Sequence, residues 1–331
     1  MSTVRPAQRG LLFLGCLLAF VRWEPAPYDL FLIIIFLLYA RGLTWKSYQL
    51  VFVVLLGPLL FTHVPALGAA LEVAPERTLY YSLVTLYLAL SSVFFMSLPE
   101  RSVPLLLLGY EVGALLSGLL GVLAFLRIPG LEDLLWGGSR AVAFFKDPNV
   151  FGAFLIPALF LALARLEQGR KFWILPALIL FLGVLVSLSR GAWANFAVAL
   201  LAWWLLRPRK RIWLPLVLLT LAGGVGISVV VMPDNPIVQR LGFMPYDKER
   251  FFTQMEALSL ALTQPLGYGP GLSEIHLSYA THNTYVRFLA EVGWLGLFFW
   301  LLILGTSLIW SLYQGLKQQS FRHEVYFVSL L

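Results

Sequence analysis

Histidine is the side chain best suited to take up a proton near neutral pH, and His282 stands in a setting that invites this. It is followed by Asn283, nine further residues, and then Gly293-Trp294-Leu295-Gly296. Within the interval, Arg287 and Glu291 are spaced i, i+4 and can pair on one helix face. A plainer reading suits the same residues: Asn283 as a helix cap, Gly293 and Gly296 as a close-packing pair, His282 as an interfacial polar group. The second chemistry is cationic. Ser187-Leu188-Ser189-Arg190-Gly191 joins two apolar runs with almost no loop, and an arginine there is expensive unless it snorkels, is paired or meets water. Arg140, then Lys146-Asp147-Pro148-Asn149, makes a similar approach to another run, with Pro148 suited to a first helical turn and Asp147 or Asn149 to its cap. Arg250 opens a stretch in which Phe251, Met255, Leu258 and Leu262 recur at helical spacing. Gly267-Tyr268-Gly269-Pro270-Gly271 places a glycine at every second position, which permits either a tight turn or close backbone approach to a ligand.

The elements that must carry these residues are read from composition. The 331 residues are 60% hydrophobic and only 12% charged, against about 25% charged in soluble domains. The apolar runs are continuous rather than alternating, which favours membrane helices over a barrel. Segments fall at about 10–21, 28–40, 48–63, 78–97, 103–126, 149–164, 172–188, 191–206, 212–232 and 284–313, and an eleventh, too short to span, begins near Val325. The first two are short and form either a hairpin or two tilted spans. The expectation is all-α: a polytopic bundle of about 10–11 membrane segments, one integral membrane domain over 1–331. The single cysteine, Cys16, excludes an intrachain disulfide. It follows Gly15, but the preceding residues fit a lipoprotein cleavage site poorly, and no small-x-small signal cleavage site follows the run.

Orientation follows from Arg207-Pro208-Arg209-Lys210-Arg211, whose four cations in five residues belong on the cytoplasmic side. Alternation then puts Arg5 and Arg9, Arg41 and Lys46, Arg101, Arg165 with Arg170 and Lys171, and Lys317 with Arg322 on that side, so the N-terminus is cytoplasmic. Residues 233–283 become one long outer loop, and long loops are commonly functional. Arg140, Lys146, Arg190, Arg240, Lys248, Arg250 and Arg287 all gather on the outer face, where topology does not call for cations. That points to an anionic ligand. Glu111 lies within the fifth segment and receives no role. The sequence has no outer Asp-x-Asp pair, no His/Cys set at metal spacing and no P-loop, which disfavours a metal-dependent sugar transferase or an ATP-driven pump. No basic soluble face exists to bind nucleic acid.

The ordered set of motifs resembles the O-antigen ligase and O-antigen polymerase superfamily of bacterial envelope proteins over about 140–310. The matching pieces are Arg140 with Phe145-Lys146-Asp147-Pro148-Asn149, the Ser187 to Gly191 turn, Arg250 with Pro265-Leu266-Gly267-Tyr268-Gly269, and His282-Asn283 with Gly293 and Gly296. Gln254 stands where an aromatic is common, and Leu297-Phe298 where many lipopolysaccharide ligases have Thr-Thr, so ligation, polymerisation and protein O-glycosylation all stay open. The resemblance implies a GT-C-type glycosyltransferase fold in the bacterial plasma membrane. It implies a polyprenyl-diphosphate-linked glycan as donor, a lipid, glycan or protein acceptor, and a role in cell-envelope polysaccharide biosynthesis. Within that frame His282 is the general base on the acceptor hydroxyl. Arg190 and Arg250 hold the diphosphate with help from Arg140, Lys146 and Arg287, supported by Asn149, Ser189, Asn283, Glu291, Gly267 and Gly269. Neither metal nor organic cofactor is expected, and in-line attack inverts the anomeric centre. An anion transporter of bicarbonate type is the alternative; it calls for charges at the bilayer midplane, whereas the polar residues here collect on one face.

Overall fold

In a computed structural model the described residues are 6–39, 43, 47–206, 240, 242, 244–278, 281 and 283–318. They form a predominantly helical, multi-pass membrane protein. Among the described residues four helices are long and apolar enough to cross a membrane: Pro75–Met96, Val103–Phe125, Pro148–Glu167 and Thr284–Gly315. Shorter apolar helices cover Pro27–Tyr39, Gln49–Phe61 and Lys171–Val186. Leu83, Leu86 and Leu90 point out of the Pro75–Met96 helix, the arrangement that lipid rather than water rewards. The ninth predicted segment, the Arg207 to Arg211 cluster and most of the 233–243 stretch lie outside the described residues.

The chain divides into two compact units, one made of 1–41, 99–242 and 308–331, the other of 42–98 and 243–307. In the first unit, α1 (Pro6–Leu17) packs on α2 (Pro27–Tyr39) and on α6 (Val103–Phe125). The α1–α6 contact is backbone on backbone: a Cβ on Gly109 would lie 1.9 Å from the Leu12 carbonyl oxygen, so only glycine allows this approach. Helix α7 (Pro148–Glu167) is the centre of the unit, flanked by α6, α8 (Ile174–Val186) and α9 (Arg190–Leu206). Phe151, Leu155, Leu159 and Phe160 of α7 are fully buried there. Glu111 in α6 accepts from Arg165 Nη1 of α7 at 2.6 Å, and that guanidinium lies 4.0 Å from the Trp173 ring. The pair offsets the cost of a carboxylate within an apolar span. One feature departs from the all-α expectation. Leu135–Trp136 (β1) and Arg140–Ala141 (β2) pair antiparallel across a Gly137-Gly138 turn, with Trp136 opposite Arg140.

The second unit holds α3 (Ser47–Phe61), a short α4 (Leu67–Val73) that the hydropathy pattern does not announce, and α5 (Pro75–Met96). It also holds α10 (Pro245–Thr263), α11 (Ser273–His276) and the first part of α12 (Thr284–Gln318). Helix α12 is broken at Gly293, whose φ of 68° and ψ of −166° are non-helical. The break is braced by the preceding loop: Tyr268 and Gly269 donate their N–H groups to the Ala290 and Glu291 carbonyls at 2.9 Å each, and Trp294 donates to the Pro265 carbonyl at 3.1 Å. Backbone groups that a kink strands are thus satisfied by another piece of chain, as burial requires. A Cβ on Gly293 would lie 2.0 Å from the Pro265 oxygen, so the position needs glycine twice over, for its φ and for space.

Candidate functional site

In the first unit the predicted residues around the Ser187 to Gly191 turn are brought together. Ser189 Oγ accepts from Ala192 N at 3.2 Å and so caps α9, which makes Arg190 that helix's first residue. Ser187 Oγ donates to the Val184 carbonyl and accepts from Ser189 N, closing a turn in which buried Leu188 takes a φ of 49°. A left-handed leucine is costly and needs the surroundings to hold it. Arg140 is one of those surroundings. Its guanidinium donates from Nε to the Ser187 carbonyl and from Nη2 to Asn149 Oδ1, 3.1 Å each, and lies 5.8 Å from the Trp136 ring. Asp147 caps α7 through Asn149 N, which leaves the Asn149 side chain for Arg140. Arg140 is 8% exposed and faces acceptors of its own protein. Arg190, half-buried, donates to the Gly242 carbonyl at 3.1 Å. Lys146 pairs with Glu24 at the surface.

In the second unit Asn283 Oδ1 accepts from Tyr285 N and Val286 N at 3.0 and 3.3 Å and caps α12. One turn on, Arg287 Nε donates to Glu291 Oε1 at 3.0 Å, and the same oxygen accepts from Ser273 Oγ at 2.7 Å. The i, i+4 pair read from sequence is therefore present, and a residue from α11 completes it. The glycines of 267–271 face the protein's own atoms. A Cβ on Gly267 would lie 2.5 Å from the Glu291 carbonyl, one on Gly269 2.4 Å from Ala70 Cβ, and one on Gly271 2.4 Å from the Tyr81 ring. Arg250 projects from α10 with its guanidinium 4.6 Å from the Tyr246 ring. Its Nε–H is buried and has no acceptor among the described residues. A buried guanidinium N–H without an acceptor calls for an explanation, and an anion supplies one. Glu256 on α10 holds Ser278 by its N–H and its hydroxyl, 2.9 Å each. His282 lies outside the described residues. His276 is exposed, its ring 4.1 Å from that of Tyr268.

Three residues that sequence reasoning passed over belong to this second group. Tyr81 on α5 lies under the Arg287 guanidinium at 4.4 Å. Arg77 lies 5.3 Å from the same ring, donates from Nε to the Gly271 carbonyl at 2.6 Å and pairs with Glu274. His63, just beyond α3, has Nδ1 3.0 Å from the Leu59 carbonyl oxygen. That contact places the proton on Nδ1 and leaves the Nε2 lone pair available. Burial pushes the His63 pKa below its ordinary value; the Leu59 carbonyl and the negative charge of Glu291 pull the other way and do not prevail. Among the described residues no group of three or more His, Cys, Asp or Glu side chains could hold a metal ion.

Arg140, Arg250 and Arg287 each lie against an aromatic face, which fixes the plane of the fork. Guanidinium groups held in this way are suited to anion recognition. Arg250 and Arg287 keep N–H groups without a described partner. Residues 175–301 match the family profile described as O-antigen ligase. No curated protein matches the chain.

Proposed function

We propose, on the premise that the chain belongs to the O-antigen ligase-like superfamily through residues 175–301, that it is a membrane glycosyltransferase acting on a polyprenyl-diphosphate-linked glycan. The observation that carries this reading is Arg250: a guanidinium N–H, buried and without an acceptor, on a helix inside the matched region. Such a group fits a phosphate oxygen, the ligand class the family premise supplies. The whole chain acts as one integral membrane domain of GT-C type, with 233–283 and the cationic residues on the extracytoplasmic side of a bacterial plasma membrane.

In the reaction the acceptor hydroxyl attacks the anomeric carbon from the side opposite the diphosphate. The new C–O bond forms as the bond from that carbon to the diphosphate oxygen breaks, so the configuration inverts. The hydroxyl proton passes to His282, and the polyprenyl diphosphate departs with the electron pair. Diphosphate is already a good leaving group, so the protein's task is to stabilise charge rather than to protonate. Preorganised arginines do this without a divalent ion. Arg190, Arg250 and Arg287 are the direct ligands. Arg140 serves through the turn it holds, and Lys146 extends the cationic set from the surface. The anion-transporter alternative finds no support in the family match.

The test is genetic and chemical. Surface glycans from a deletion strain are compared with those of the parent. Unattached glycan on its lipid carrier indicates lost ligation; single repeat units where the parent has chains indicate lost polymerisation. An unchanged glycan profile in the deletion strain would overturn the reading.

A further inference from the structure

We infer that Tyr81 is a positioning residue for donor binding: its ring is the platform on which the Arg287 guanidinium is held, and α5, outside the family-matched region, is therefore part of the donor-binding machinery. This rests on the reading of Arg287 as a diphosphate ligand.

The argument runs through the geometry around one ring. The Arg287 guanidinium carbon lies 4.4 Å from the Tyr81 centroid, inside the range where a cation is drawn to an aromatic face. Its Nε is bound to Glu291 Oε1, and Glu291 is itself fixed by Ser273. A plane set by a ring and an edge set by a carboxylate leave little rotational freedom. The two Nη atoms form the remaining end of the fork and have no described partner, and the side chain is 36% exposed. That is the end that matches a phosphate bidentately.

The ring is held in turn. Arg77, one helical turn earlier on α5, lies 5.3 Å from its centroid and is tied to the Gly271 carbonyl and to Glu274. Gly271, with a φ of 78°, approaches so closely that an added Cβ would lie 2.4 Å from the ring's Cδ2. No hydroxyl contact is needed for any of this. The ring face is the functional part, which makes a sharp distinction between phenylalanine and an aliphatic residue.

The full-length protein in detergent is titrated with undecaprenyl diphosphate, and Kd is measured for five proteins: the parent, Tyr81→Phe, Tyr81→Leu, Arg287→Ala, and Tyr81→Leu with Arg287→Ala. Thermal unfolding confirms that each is folded, and Tyr81→Met replaces the leucine variant if that one is not recovered. The expected result is parental affinity for Tyr81→Phe and about 2- to 5-fold weaker binding for Tyr81→Leu, the change to which an exposed cation–π contact converts. Arg287→Ala weakens binding further, and Tyr81→Leu adds nothing to it, because the ring acts through the arginine. Two results overturn the inference while sparing its premise. One is Arg287→Ala weakening binding while Tyr81→Leu binds like the parent. The other is the two losses multiplying in the double variant. Parental binding by Arg287→Ala overturns the premise and the inference together.

Discussion

Replacing Arg140 with alanine separates a residue that touches the donor from one that holds the site's framework. Arg140 is buried and spends two guanidinium N–H groups on the Ser187 carbonyl and on Asn149 Oδ1. Each hydrogen bond from a charged donor contributes about 1.5–3 kcal/mol, and the orphaned acceptors regain only part of that from water, so Arg140→Ala costs about 3–5 kcal/mol. The loss falls on the turn that holds Leu188 in the left-handed region and starts α9 at Arg190. The assay is thermal unfolding in detergent alongside the Kd for undecaprenyl diphosphate at low temperature. We expect the apparent Tm to fall by roughly 10 °C, while the affinity of the remaining folded protein changes less than in Arg190→Ala. Asn149→Ala removes one of the same bonds, so the double variant is destabilised by less than the sum of the two. Unchanged Tm with a tenfold or greater loss of affinity refutes the reasoning and puts Arg140 on the donor.

Arg190→Ala and Arg250→Ala should each lower transfer roughly 30- to 1,000-fold, the loss of about 2–4 kcal/mol of transition-state stabilisation; lysine at either position rescues only in part, and wild-type turnover by both alanine variants sinks the diphosphate assignment. His282→Ala should abolish transfer while donor binding persists, whereas His276→Ala, an exposed ring against Tyr268, loses little; the reverse outcome in purified proteins removes His282 from the chemistry. Stability should depend on His63. Its folded pKa lies below the ordinary value of 6.5, so the unfolded chain takes up its proton first as pH falls. The stability contribution of neutral His63 is full above about pH 6.5 and declines below it; His63→Gln flattens that slope in thermal unfolding between pH 7 and 5, and an unaltered slope refutes it.

What could be read beforehand was what the chain encodes locally. Helix ends at 147–149, 189–192 and 283–286 are written in Asp-Pro, Ser and Asn at cap positions. The Arg287–Glu291 pair is one turn apart and needs no tertiary knowledge. Tyr246 stands at the same spacing before Arg250 and carries the same local clue, masked by the apolar periodicity of the residues that follow. The Arg77 partnership with Gly271 joins residues 194 apart, and no spacing rule reaches across the two stretches of chain, 42–98 and 243–307, that make up one unit. From the sequence, Gly293 reads as a site of close helix approach. Close approach is what the glycine permits, but the occupant is loop backbone, and the break in the helix is the reason. The hairpin at 135–141 hid in a short stretch where only Gly137-Gly138 signals a turn.

The splice between the 265–269 loop and the broken helix limits how far that loop can move. Lifting that loop would leave the carbonyls of residues 290 and 291 and the amide of Trp294 bare, at about 1–3 kcal/mol for each buried group. A segment so bound makes a poor door. It behaves as a fixed sill, tied to the broken helix at both of its edges.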